Sequence, residues 1–211
     1  MAPEKGDLAA LLAPGVSFRR LLLVGTGALA VTHLPFWLNW AGEFYPDLEL
    51  RIVLTRSATR FVAPDALAAL AGGPVLVDDW AALPVRPAPH VDLAGWPDAI
   101  LVHPAGQSFI ARLALGLADS PVQLALQLTT AVIGVAPALP PGHGNGRAVG
   151  EHLARLAADP RIVVGPTEEA TSASTREVHD GGVTPVSTMF RLMQQRLVER
   201  ETPIGAGHGN R

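Results

Sequence analysis

From His90 to Asp119 the chain reads HVDLAGWPDAILVHPAGQSFIARLALGLAD. A histidine opens the stretch at His90, and histidine is the residue type suited to proton transfer as a general acid or base. The turn Pro104-Ala105-Gly106-Gln107-Ser108 sets small residues and two polar side chains where an apolar run gives way to an amphipathic one. Backbone amides at such a junction can meet an anion or a developing negative charge. Two further turns share this character. Gly25-Thr26-Gly27 suits a phosphate, although Ala30 stands where a dinucleotide fingerprint has its third glycine, and a tight turn without ligand is the equal alternative. Thr55, Ser57 and Thr59 end another apolar run, where hydroxyls can hold a phosphate or polyol, or cap the next helix.

Each of these residues also has a plainer reading. A single histidine in a loop is equally a solvated residue, and His103 at a strand end reads as structural. His33, Trp37 and Trp40 fall on a helix, where core or subunit packing accounts for them. His143 and His152 lack the paired spacing and carboxylate partners of a metal site, so no metal is expected. The sequence contains no G-x-S-x-G, no Walker lysine motif and no H-E-x-x-H, which removes support for hydrolase, P-loop and zincin chemistry.

Turns of this kind need strands and helices to hold them in register. Apolar β-type runs occur at 20–26, 48–55, 74–79, 99–104, 131–137 and 161–166, and amphipathic stretches at 27–45, 64–72, 107–118 and 146–158. Near-continuous apolar strands alternating with helices predict an α/β fold. The expected form is a Rossmann-like (flavodoxin-like) three-layer parallel sheet flanked by helices, with ligands at the strand carboxyl ends. The polar stretch 166–185 reads as a long functional loop, 186–200 as a closing helix and 137–146 as a Gly/Pro loop. Residues 1–211 are expected to form one domain.

Composition narrows the classes further. The chain has 211 residues, 48% of them apolar, with a net charge of -3 and no cysteine. There is no basic patch to support nucleic-acid binding. Without cysteine there is no disulfide, thiolate metal site or cysteine nucleophile. The apolar run after Arg19-Arg20 is interrupted by Gly25 and Gly27 and is too short to span a bilayer. The expectation is a cytoplasmic protein, not membrane-bound, with a short leading helix and a C-terminal tail.

Taken in order, VGTGALA, VLTRSAT, HVDL, GWPD, PAGQSF, GLAD and APALP resemble the motif series of the homo-oligomeric flavin-containing cysteine decarboxylases. That family includes lantibiotic-type peptidyl-cysteine decarboxylases and phosphopantothenoylcysteine decarboxylase, with flavin prenyltransferases as distant relatives. The match runs over most of residues 20–190. The resemblance implies FMN, with FAD possible, held by Thr26, Gly27, Ala28, Ala30, Thr55, Ser57, Pro104, Ala105, Gly106, Gln107 and Leu139. It implies His90 as the acid/base near the substrate thiol, Ser108 at the carboxylate grip, and a substrate clamp at 166–185 that includes Arg176.

Two positions depart from the family pattern: Ser108 and Pro140 stand where the family has asparagine. Serine can still donate one hydrogen bond, whereas proline donates none. The family's reductive branch uses a clamp cysteine that this chain lacks. The resemblance therefore implies oxidative decarboxylation of a C-terminal peptidyl cysteine to an enethiol, as in aminovinyl-cysteine formation on a ribosomal precursor peptide. It also implies a homo-oligomer, a trimer or trimers gathered into a dodecamer. A non-catalytic subunit of the same fold, or another flavin enzyme such as a prenyltransferase, stands as the alternative.

Overall fold

The computed structural model describes residues 13–85 and 88–202. The expected leading helix and most of the expected C-terminal tail lie outside the described residues. Six strands, β1 (Arg20–Gly25), β2 (Glu49–Thr55), β3 (Val75–Asp78), β4 (Ala99–Gly106), β5 (Val132–Ala138) and β6 (Ile162–Val164), form one parallel sheet. Their order is β3-β2-β1-β4-β5-β6, so the chain reverses its direction of travel across the sheet between β1 and β4. This is the Rossmann arrangement, and its crevice is expected outside the carboxyl ends of those two strands.

The strands read as unbroken apolar runs because both of their faces are covered. Leu21 and Leu23 of β1 and Leu101 of β4 pack with α1 (Leu34–Phe44), α2 (Pro64–Ala71) and α7 (Val186–Glu201). Leu22 and Val24, with Ile100 and Val102, face α3 (Pro89–Gly95), α4 (Gln107–Leu115), α5 (Pro121–Leu128) and α6 (Arg147–Ala157). Alternation along each strand thus divides the core into two layers, and the predicted three-layer α/β fold is the one observed. No helix among the described residues is long and apolar enough to cross a membrane.

The structure adds elements that pattern reading did not supply. Helices α3 and α5 are short, and α3 turns what reads as a loop histidine, His90, into a residue of a helical first turn. The polar stretch read as a loop contains a two-stranded antiparallel hairpin, β7 (Glu168–Thr171) and β8 (Val178–Gly182). Its strands are largely exposed, so they carry no apolar alternation to betray them. At the hairpin's base the Thr184 hydroxyl donates to the Pro166 carbonyl. Thr184's own carbonyl accepts from His103 Nε2 of β4 at 2.8 Å.

Candidate active site

Thr26 follows β1 directly and is buried. Its hydroxyl donates to the Pro104 carbonyl at 2.7 Å and accepts from the Gly106 N–H at 2.8 Å. Thr26 therefore fastens β1 to the end of β4 at the switch point, and both functions of its hydroxyl go to that task. Gly27 comes next. A Cβ built there would lie 2.3 Å from Ser57 Oγ, so only glycine lets the β1 and β2 turns approach this closely. On the β2 side, Thr55 Oγ1 and Ser57 Oγ are 3.1 Å apart, and Thr55 Oγ1 also accepts from the Ala58 N–H at 3.3 Å. Ser57 precedes a 3-10 turn without capping it, which leaves its hydroxyl turned to other use.

The carboxyl ends of β1 to β4 open onto a cavity of about 520 Å3, a size that suits a cofactor. Gln107 and Ser108 line it from the first turn of α4, whose N-cap is Gly106. A glycine offers no side chain to cap the helix, so the first-turn amides and the positive helix end remain available to an anion. From β3 come Asp78, Asp79 and Trp80. Burial pushes the Asp78 carboxyl above its ordinary value, while the Ser120 hydroxyl and the Val122 N–H donate to it at 2.7 and 2.9 Å. Asp78 thereby anchors the start of α5 to the end of β3. The Arg56 guanidinium beside Asp79 holds that carboxyl below the usual range. Arg112 and Asp119, both on the lining, pair at 3.0 Å.

The structure thus brings Thr26, Gly27, Thr55, Ser57, Gly106, Gln107 and Ser108 together along one crevice. Pro104 and Ala105 are buried in β4 behind it, with Pro104 offering its carbonyl to Thr26. Ala28 is the N-cap of the 3-10 turn that follows Gly27 and Ala30 lies on that turn, and neither is on the lining. Three expected site residues stand elsewhere. Leu139 is buried beyond β5 and lines a separate cavity. Arg176 lies between the hairpin strands with a φ of 60° and donates its N–H to the Ser172 carbonyl. His90 is not on the lining. Its ring packs edge-on to Trp80 at 5.7 Å between centroids, and its buried Nδ1 has no partner.

Trp80 is the link that sequence reading missed. It lines the crevice, touches His90, and donates its indole N–H to the Asp119 carbonyl at 3.2 Å. Its signal was positional: Asp78-Asp79-Trp80 stand at the end of an apolar strand, where α/β ligand sites gather. The Asp of GWPD has a different place. Asp98 precedes β4 at the opposite, amino end of the sheet, where Arg19 and Arg20 donate backbone and side-chain hydrogen bonds to it. Those bonds draw its pKa down. No group of metal-ligating side chains occurs among the described residues.

The donor set fits FMN. An anionic phosphate is matched by the uncapped start of α4, and a hydroxylated chain by Thr55, Ser57 and Ser108. The close approach enforced at Gly27 shapes the space between them.

The Flavoprotein family model matches residues 16–198. The chain is 34% identical over 157 residues to cypemycin cysteine dehydrogenase (decarboxylating) of a Streptomyces species, covering 74% of this chain and 81% of that protein. The crystal structure of the cypemycin decarboxylase CypD superposes with a TM-score of 0.73 and 28% identity, over 89% of this chain and all of that one (100%). The FMN-dependent cysteine decarboxylase SpaF gives a TM-score of 0.70 and 25% identity, over 88% of this chain and 99% of that one.

Proposed function

The chain belongs to the Flavoprotein family, and from that premise we propose that it is an FMN-dependent peptidyl-cysteine decarboxylase. Its reaction is the oxidative decarboxylation of a C-terminal cysteine to an enethiol, in the making of a ribosomal peptide natural product. The carrying observation is the crevice at the β1/β4 switch point, where hydroxyls and uncapped helix amides converge in a chain that is 34% identical to a decarboxylating cysteine dehydrogenase.

The cofactor is FMN, bound through Thr55, Ser57, Gln107, Ser108 and the first-turn amides of α4. When bound, FMN supplies the two-electron acceptor that cysteine oxidation requires. Ser108 and Gln107 offer donors to the substrate carboxylate at the same turn. His90 holds the thiol proton, and Trp80 sets the position of its ring. Because the imidazole meets the crevice through Trp80, a substrate seated against both rings is the arrangement that uses His90. Arg176, carried between the hairpin strands, closes on the peptide as part of the clamp. The chain offers no cysteine to supply the proton that a reduction of the enethiol would require, so the oxidised product is released.

The protein acts as a homo-oligomer in the cytoplasm, and the assembly is a trimer or a dodecamer built from trimers. Exposed Phe36 and Phe44 on α1 support this reading, since aromatic side chains left on a helix surface suit a subunit contact. Light scattering tests it, and a monomer would overturn it.

The test of the reaction is to incubate the FMN-loaded protein with peptides ending in cysteine and to follow their mass. Loss of CO2 together with two hydrogens, abolished by His90→Asn while FMN is retained, is the expected result. A retained carboxylate on every peptide overturns the reading in favour of a non-catalytic flavoprotein.

A further inference from the structure

Among the described residues three buried side-chain atoms have no hydrogen-bond partner: Nδ1 of His90, Nδ1 of His103 and Oε1 of Gln123. Of the three residues, only Gln123 lines the crevice. It is 1% exposed and stands in the first turn of α5. Its Nε2 donates to the Phe109 carbonyl at 3.4 Å. A carbonyl can only accept, so this contact fixes which way round the amide lies and leaves the oxygen as its free end. A buried acceptor without a donor is costly, and a fold does not keep one idly at the wall of a cavity.

The sequence offers this oxygen a partner that the structure does not use. Ser120-Pro121-Val122-Gln123 has the spacing of a capping box, in which serine accepts from the backbone of glutamine and glutamine accepts from the backbone of serine. The first half is formed: Ser120 Oγ accepts from the Gln123 N–H at 3.3 Å. The second half is not, because the amide is turned to Phe109 and Oε1 stays unpaired. The neighbouring carboxylate is already served. The Ser120 hydroxyl donates to one oxygen of Asp78 and the Val122 N–H to the other.

The position of Gln123 names the missing donor. Phe109 is the third residue of α4, and the uncapped first turn of that helix offers its amides to the phosphate of FMN. An acceptor held against this turn lies beside the phosphate, and the part of FMN joined to its phosphate is the ribityl chain. Each ribityl hydroxyl has a hydrogen to donate as well as lone pairs to fill. Thr55, Ser57 and Ser108 can fill the lone pairs, while the hydrogen needs an acceptor. The one N–H of the oxidised flavin is no rival, because it belongs to the ring system, remote from the phosphate.

We propose that Oε1 of Gln123 accepts a hydrogen bond from a ribityl hydroxyl of FMN, which makes α5 part of the cofactor site. This rests on the seating of the phosphate at α4 given above. It adds a contact that recognises the polyol, distinct from those made to the phosphate.

The experiment titrates flavin-free protein with FMN and with three FMN analogues, each lacking a different ribityl hydroxyl, and follows flavin fluorescence. Gln123→Met keeps the length of the side chain and removes the acceptor. FMN is expected to bind this variant about tenfold more weakly, and one of the analogues should bind both proteins equally. The flavin-free variant should melt no lower than the unsubstituted protein, because an unpaired acceptor is lost together with one long bond. A merely structural glutamine gives the reverse pattern, a lower melting temperature with FMN affinity kept. A second measurement needs no substitution. With glutamine labelled at its side-chain carbonyl carbon, the Gln123 resonance should move downfield when FMN is added, as for a carbonyl that gains a donor. FMN affinity within about twofold in the variant, a loss shared equally by all three analogues, or a resonance that FMN leaves in place overturns the contact. The two readings fail separately. FMN bound equally by both proteins removes Gln123 alone, whereas an unsubstituted protein that binds no FMN removes the cofactor site with it.

Discussion

The two ends of the parallel sheet both pair their charges, but only one leaves neutral donors uncommitted. At the amino ends, charges are spent on one another. Asp98 takes hydrogen bonds from Arg19 and from the backbone and guanidinium of Arg20. Arg51 pairs with Asp92 at 2.8 Å and lies 4.1 Å over the Trp96 ring. Arg161 binds Asp159 and the Thr129 carbonyl. At the carboxyl ends, the Ser57 hydroxyl, Gln107, Ser108 and the glycine-capped start of α4 face an open cavity. A parallel sheet makes the asymmetry. Helices that follow its strands begin at the carboxyl ends, so amide donors and positive helix ends collect there. The amino end holds the fold, and the carboxyl end does so through Thr26 and Asp78 while leaving other donors to a ligand.

Acid should separate the two ends most widely. His103 lies in the carboxyl half of β4, fully buried, and its Nε2 must carry the proton because a carbonyl can only accept. Its Nδ1 is then a buried lone pair without a partner, and burial lowers its pKa to about 4. The unfolded chain takes up that proton first, so stability falls as pH drops from the free-histidine value near 6.5 toward 4, by up to about 3 kcal/mol. Asp98 behaves differently. Its folded pKa is depressed, so its contribution is complete above the unfolded carboxylate value near 3.9 and is lost only below it. Chemical denaturation between pH 7 and 4 should show the decline, and His103→Gln should flatten it. A flat profile in the unsubstituted protein would break this part of the comparison.

Removing Asp98 itself should cost about 2 kcal/mol, because hydrogen bonds to a charged group are lost together. Asp98→Ala is therefore expected to lower the denaturation midpoint at pH 7 while leaving FMN affinity within about twofold. A large change in affinity would mean that the amino end also shapes the site. The smallest effect belongs to the crevice. Ser57→Ala should weaken FMN binding about fivefold, near 1 kcal/mol for one hydrogen bond, with no change in the melting temperature of the flavin-free protein. Flavin fluorescence titration measures the first and calorimetry the second. Unchanged affinity would remove Ser57 from the cofactor's partners.

The six parallel strands and the helices at 34–44, 64–71, 107–115, 147–157 and 186–201 were legible in the sequence. In each of them, burial writes itself into local periodicity. The turns that line the crevice, from Thr26 through Ser57 to Ser108, were legible for a related reason: they end those strands. The hairpin was not, because neither of its strands is packed deeply enough to need an apolar face. Trp80 beside His90, the Asp78 anchor of α5 and the committed hydroxyl of Thr26 were invisible as well. Each depends on segments distant in the chain coming within a few ångströms, and no local pattern records that approach. The sequence by itself determined the layers, the strand ends and the types of donor available at them. Only the tertiary structure decided which donors remain free for a ligand and which are consumed in holding the fold. A hydroxyl's or carboxylate's availability is set by its neighbours across the sheet, not by its neighbours along the chain.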